Sequence, residues 1–346
     1  MSSLADDLLA GKHRALARVI TKIENREPGY RDLVSQLHAH AGDAEVVGIT
    51  GSPGAGKSTL VDKLAAAYRE QGLTVGIIAI DPASPYTGGA VLGDRIRMGS
   101  TVGDMDVFVR SMSARGSLGG LSTATTDAVT ALDAFGKDRI IIETVGAGQN
   151  EIDIVRTADS VVVLVPPGSG DDVQMLKAGI LEIADVFVVN KADLDGADRI
   201  VRELRKMLQY GDGGVTTGHH GVGGPGPPDG DGASGGDSGD GVPWEPPIVE
   251  TVASQGEGID DLLAALADHR EHLVASGELA ETERQRYAEE LRTLLREDVN
   301  ALLEREIDRQ GGLQAAVDRV RERETDPYTV AEQLLEPVRE CVENEE

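Results

Sequence analysis

One stretch constrains this chain more than any other: Val46-Val47-Gly48-Ile49-Thr50 runs directly into Gly51-Ser52-Pro53-Gly54-Ala55-Gly56-Lys57-Ser58-Thr59. The first five residues are apolar enough for a buried strand, and Gly51 to Ser58 matches G-x-x-x-x-G-K-[ST], the phosphate-binding P-loop. From Leu60 to Tyr68, apolar residues recur at helical spacing. Strand, loop and helix in that order is the context the motif needs. Gly51, Gly54 and Gly56 let the backbone curl so that successive N–H groups converge on phosphate oxygens. The helix that follows adds the partial positive charge of its N-terminus. Lys57 is placed to reach the β and γ phosphates, and the Ser58 hydroxyl to ligate Mg²⁺.

The chain continues as β-α-β units, which predicts an α/β P-loop NTPase fold with a mostly parallel sheet flanked by helices. Thr74 to Ile80 is a second buried strand that delivers Asp81, a carboxylate placed for Mg²⁺ or for capping the turn at Pro82. Residues 82–105 are rich in Gly and Pro, as expected of a long functional loop. Asp94 is its metal-facing carboxylate, and Arg95 and Arg97 are phosphate contacts or solvated charges. Asp106 to Arg110 reads as a short strand and Thr123 to Phe135 as a helix. Arg139 to Glu143 is a third buried strand ending in a carboxylate, followed by Thr144-Val145-Gly146-Ala147-Gly148-Gln149. A strand-end acid with a glycine three residues on is the second half of such a site. Glu143 serves Mg²⁺ or its water, and the Gly146 N–H senses the γ-phosphate. No strong base is evident, so Gln149 is the candidate for orienting the attacking water.

Strands follow at Asp159 to Val165 and at Val186 to Val189, with a helix expected over Val173 to Ile183. The second strand delivers Asn190-Lys191-Ala192-Asp193. This N-x-x-D arrangement with its lysine reads guanine. The Asp193 carboxylate, expected to be buried, accepts from guanine N1–H and N2–H₂, a donor pair that adenine lacks. Lys191 lays its stem along the base, and Asn190 holds the loop and O6 or N7. After a last strand, Ile248 to Val252, Ala253 and Ser254 are placed to offer backbone N–H to guanine O6.

Composition narrows the partners. The formal charge of −27 over 346 residues argues against nucleic acid. Only eight of the 33 basic residues are lysine and only three residues are phenylalanine, a bias expected of a protein from a salt-loving organism. The single Cys341 excludes an intramolecular disulfide and a cysteine metal cluster. The acidic start of the chain carries no signal-peptide core and no apolar run approaches a membrane span, so a cytoplasmic location is expected.

Three regions are expected. Residues 1–42 form an N-terminal arm of one or two amphipathic helices outside the nucleotide-binding core. Its Leu8, Leu9, Leu16, Val19, Ile20 and Ile23 share a stripe, and His38 and His40 sit on its surface. Residues 43–275 are the P-loop domain, within which residues 211–242, almost devoid of apolar side chains, are expected to be disordered. His219 and His220 inside that insertion make no metal cluster. Residues 276–346 are helical, with Leu291, Leu294, Leu295, Val299, Leu302 and Leu303 on one stripe. That stripe belongs against the nucleotide domain or against a second copy of the chain.

Four blocks beyond the P-loop are more specific: Ile80-Asp81-Pro82-Ala83-Ser84-Pro85-Tyr86-Thr87-Gly88-Gly89, Leu92-Gly93-Asp94-Arg95, Glu143 to Gln149, and Gly170-Asp171-Asp172-Val173-Gln174. With them the chain resembles the methylmalonyl-CoA mutase-associated GTPases. These are G-protein chaperones of adenosylcobalamin-dependent mutases, formerly described as lysine/arginine/ornithine transport kinases. The resemblance covers the chain outside the 211–242 insertion. It implies GTP and GDP as ligands, with Lys57 and Ser58 holding phosphate and Mg²⁺. Asp81, Asp94 and Glu143 complete the metal and water environment, and Asn190, Lys191 and Asp193 read the base. It further implies a switch from Gly170 to Lys177, with Lys177 as a nucleotide contact, a homodimer joined through the C-terminal helices, and slow GTP hydrolysis accelerated by a mutase partner. A kinase for transport proteins and a metallochaperone GTPase are the alternatives. The first lacks an evident acceptor site, and the second lacks Cys and His near the nucleotide.

Overall fold

The computed structural model describes residues 3–81, 99, 103–113, 120–144, 154, 157–168, 183–211, 243–309 and 311–343. The chain divides into two compact units, Met1–Arg284 and Gln285–Glu346.

The first unit is built on a seven-stranded sheet: β1 (Glu45–Gly51), β2 (Val75–Asp81), β3 (Val107–Ser113), β4 (Arg139–Thr144), β5 (Ser160–Val165), β6 (Val186–Asn190) and β7 (Ile248–Thr251). Its order is β3-β2-β4-β1-β5-β6-β7, and every neighbouring pair is parallel. The order reverses around β1, where sheets of this kind open a ligand crevice at the carboxyl ends of their strands. β1, β5 and β6 are buried along their whole length, as expected of strands covered on both faces.

Alternation along the strands divides the core in two. On one face Val47, Ile49, Ile77, Ile141, Val162 and Val188 pack under α4 (Lys57–Glu70), with α7 (Ile259–Ser276) beside it. On the other, Val46, Ile78, Ile140, Ile142, Val163 and Val189 pack under α5 (Gly120–Ala134) and α6 (Ala197–Gly211).

The N-terminal arm packs on α5 of this second face and shares its apolar cluster. It forms α1 (Leu4–Leu9), α2 (His13–Glu24) and α3 (Tyr30–His38). There are three helices rather than one or two because Gly11 and Arg26 take left-handed φ of 74° and 49° just past the ends of α1 and α2, which ends each helical run. Ser3 starts α1 with a reciprocal capping box to Asp6. The expected stripe is buried at Leu8, Leu16, Val19, Ile20 and Ile23, and together with Leu33 and Leu37 it joins the same cluster as the strands. Leu9, placed on that stripe, is exposed instead. Asp133 of α5 fastens the exit of the arm by accepting from the amides of Gly42 (2.6 Å) and Ala44 (3.2 Å). Both His38 and His40 are exposed.

The second unit is helical. α8 (Glu278–Arg309) runs into it, followed by α9 (Gly312–Arg321) and α10 (Pro327–Glu343). Asp326 caps α10, its carboxylate accepting from the amides of Tyr328 and Thr329, and Pro327 takes the first helical position. Along α8 no residue is buried, and Leu291, Leu295, Val299 and Leu302 are exposed. Among the described residues, no helix is long and apolar enough to cross a membrane.

Candidate functional site

The P-loop leaves β1 at the sheet's switch point. Gly51, Gly54 and Gly56 hold φ of 137°, 78° and 97°, all left-handed. Two of these glycines are also demanded by space. A Cβ on Gly51 would strike the Leu164 carbonyl oxygen of β5, and one on Gly56 would strike the Asn190 side-chain amide. The loop is closed by the Ala55 amide donating to Ser52 O (3.1 Å), and Leu60 N donating to Gly56 O (2.9 Å) starts α4. Lys57 is buried, and its Nζ donates to Gly51 O (2.7 Å) and Ser52 O (2.9 Å). The ammonium is therefore held against the mouth of its own loop. Pro53, Gly54 and Thr59 are exposed.

Register brings the second half of the site beside the first. Ile49 of β1 pairs with Glu143 of β4, and the Ser58 hydroxyl donates to Glu143 Oε1 at 2.6 Å. A hydroxyl and a buried carboxylate meeting at a helix N-terminus present hard oxygen donors of the kind that suit Mg²⁺. Among the described residues no three His, Cys, Asp or Glu side chains group to hold a metal by themselves.

Three residues before Ser58, β6 brings Asn190 against the loop. Its Nδ2 donates to Ala55 O (2.7 Å), and its Oδ1 accepts from the Thr251 hydroxyl (3.1 Å) and the Ala253 amide (3.1 Å). One buried side chain thus ties together the P-loop, β7 and the short 3-10 helix Ala253–Gln255. Lys191 takes a left-handed φ of 62°, which turns the chain so that its Nζ donates to Gly54 O at 2.9 Å. Two expectations change here. The Ala253 N–H, expected to face the base, is engaged by Asn190 Oδ1, while Ser254 beside it is exposed. Asp193 is exposed, not buried, because it sits in the turn that Leu194 N closes onto Lys191 O.

Glu143, Asn190, Lys191 and the P-loop are therefore gathered along the carboxyl ends of β1, β4 and β6. Asp81 is the last residue of β2, but its side chain lies outside what the structure describes. Asp94, Gly146, Gln149, Lys177 and the helix expected over residues 173–183 also lie outside the described residues, as does nearly all of the 211–242 insertion.

Sequence reasoning missed the polar groups at the opposite, amino ends of the strands. His269 of α7 is buried, with Nδ1 2.8 Å from the Ser160 hydroxyl and Nε2 3.6 Å from Asp185 Oδ1. Trp244 packs against it with the ring centroids 4.8 Å apart and the planes tilted by 48°, and donates from its indole to Asp185 O. Next along the edge, Arg270 lies 3.5 Å from Asp159, and Arg139 lies 3.3 Å from Glu45. Burial pushes the Glu45 carboxyl above its ordinary value, against the pull of Arg139. These groups anchor α7 to the sheet. The signal was present in that His269 shares the helical spacing of Leu262, Leu266 and Leu273.

The comparisons with known proteins agree with this geometry. The family model for the methylmalonyl-CoA mutase-associated GTPase MeaB matches residues 16–308. A Pyrococcus abyssi protein, whose name gives only a GTPase, is 45% identical over 338 residues, covering 98% of this chain and 97% of its own. The GTPase ArgK of Escherichia coli is 32% identical, covering 84% of this chain and 82% of its own. The mitochondrial methylmalonic aciduria type A homolog of Mus musculus is 30% identical, covering 84% and 68%. A crystal structure described as a LAO/AO transport system kinase superposes with a TM-score of 0.66 at 25% identity, covering 97% of this chain and 96% of that one.

Proposed function

The chain belongs to the methylmalonyl-CoA mutase-associated GTPase family, and on that premise we propose that its GTP cycle gates the loading and protection of adenosylcobalamin on a mutase partner. As a GTPase it converts GTP to GDP and phosphate. The observation that carries the reading is a pair of contacts three residues apart in the second half of the loop: Ser58 to Glu143 at 2.6 Å and Asn190 to Ala55 at 2.7 Å. A loop tied at Ser58 to the metal carboxylate and at Ala55 to the base-reading segment would feel both the γ-phosphate and the base.

In this reading the amides of Gly51 to Thr59 cradle the phosphates. Lys57 exchanges its carbonyl partners for β- and γ-phosphate oxygens, and Ser58 and Glu143 hold Mg²⁺ and its water. The Mg²⁺ ion supplies charge neutralisation across the β and γ phosphates. Asp193 accepts from N1–H and N2–H₂ of guanine, Lys191 flanks the base, and the Ser254 amide is offered to O6. Asp81, Asp94, Gly146 and Gln149 complete the metal, phosphate and water contacts, and Lys177 reports nucleotide state. Turnover is slow until a partner orders the site. The exposed stripe Leu291, Leu295, Val299 and Leu302 is assigned to a second copy of the chain.

The test is equilibrium binding to the methylmalonyl-CoA mutase of the same organism, by sedimentation in molar KCl. Affinity that differs at least about tenfold between the GTP-analogue and GDP forms is expected, a coupling of about 1.4 kcal/mol. Equal affinity with either nucleotide removes the gating role.

A further inference from the structure

We propose that Thr144, through its hydroxyl bond to Thr50, is a positioning residue for the Mg²⁺ end of the nucleotide site. The inference rests on the reading of Ser58 and Glu143 as the residues that hold Mg²⁺. Thr50 and Thr144 are both completely buried, and Thr144 Oγ1 donates to Thr50 Oγ1 at 3.0 Å.

The register shows what this bond does. The β1–β4 ladder ends at Ile49 and Glu143, whereas the β2–β4 ladder continues to Ile80 and Thr144. Beyond Glu143, β4 has lost its backbone pairing to the strand that carries the P-loop. The two hydroxyls meet one residue further on, at the point where β1 departs into Gly51. They take the place of the missing rung.

The faces are also telling. Side chains alternate along β4, so Glu143 points toward α4 and Ser58, and Thr144 points to the other side. There the neighbours in register are Ile80 on β2 and, across Thr50, Val163 on β5, all in the apolar layer with Ile140 and Ile142. A hydroxyl pair in an apolar layer is not needed for packing, because replacing both partners by apolar groups of the same shape is close to neutral. What the pair adds is a fixed separation between the end of β4 and the start of the P-loop. That separation sets how Glu143 meets Ser58, and outer contacts of this kind tune metal affinity.

The experiment measures GDP affinity by titration calorimetry, in EDTA and in excess Mg²⁺, and takes the ratio as the Mg²⁺-dependent gain. Four variants are compared with the parent chain: T144V, T144S, the double variant T50V/T144V and E143Q. T144V and the double variant are expected to lose about tenfold of that gain, with affinity in EDTA unchanged, while T144S retains it. The double variant leaves no buried hydroxyl unpaired, so it separates lost positioning from lost stability. A gain within twofold of the parent in both valine variants, or an equal fall with and without Mg²⁺, overturns the inference. So does a T144S variant that loses as much as T144V. If E143Q also leaves the gain untouched, or the parent shows none, the reading of Ser58 and Glu143 fails as well.

Discussion

Replacement of Lys57 by alanine is expected to lower single-turnover GTP hydrolysis by about 10²–10³-fold, the usual cost of removing one preorganised charge from a developing oxyanion. Lys57 is buried at the first turn of α4, and its Nζ already lies on the Gly51 and Ser52 carbonyls that form the loop's mouth. A phosphate chain seated on the loop amides would draw that ammonium from these two carbonyls onto its own oxygens. GDP binding should weaken less than turnover, because charge on the γ-phosphate oxygens grows in the transition state. Lys57→Met retains the aliphatic stem and separates lost charge from lost packing; both variants should hydrolyse GTP equally poorly. Hydrolysis within tenfold of the parent chain in a folded Lys57→Ala variant would remove Lys57 from the catalytic centre.

The second large effect is a change of base. Asp193→Asn is expected to weaken GTP binding by about 10²-fold, since hydrogen bonds to a charged group contribute roughly 1.5–3 kcal/mol. The same variant should gain affinity for XTP, whose C2 carbonyl accepts from the new amide where guanine presents an amino group. Asp193 is exposed, so thermal stability without nucleotide should hardly move. Competition of GTP, XTP and ATP against a fluorescent GDP analogue reads all three affinities together. An unchanged order of preference would mean that another residue reads the base.

The parts of this molecule legible in sequence are those dictated by local backbone chemistry. Three left-handed glycines between an apolar strand and a helix specify the P-loop, and the strands that end at Glu143 and Asn190 lie within a residue or two of where their apolar runs predict. The fold of the nucleotide domain follows from that β-α alternation. What escaped is set by distance along the chain. Nothing in the pattern around Asn190 says that its amide reaches Ala55, 135 residues away. Nor does it say that its carbonyl takes up the Ala253 N–H that seemed free for the base. The arm's stripe was visible, but an amphipathic helix does not declare what it covers, and here it covers α5. His269 hid in a stripe of leucines because a buried histidine is recognisable only once Ser160 and Asp185 stand beside it.

In the proposed cycle, the two ties on the P-loop would link the bound nucleotide to a partner. Loss of the γ-phosphate would change the load on Lys57, Ser58 and Glu143, while the base would remain held through Asp193. A partner that binds one form more tightly than the other shifts the cycle by that difference and by no more.

The measurement that tests this most directly is the GTPase rate in molar KCl, with and without the methylmalonyl-CoA mutase of the same organism and with ATP as the control nucleotide. A slow basal rate that rises many-fold with the mutase, while ATP stays inert, is the predicted result. A rate untouched by the mutase, or already as fast alone as a metabolic kinase, would contradict a partner-gated GTP cycle.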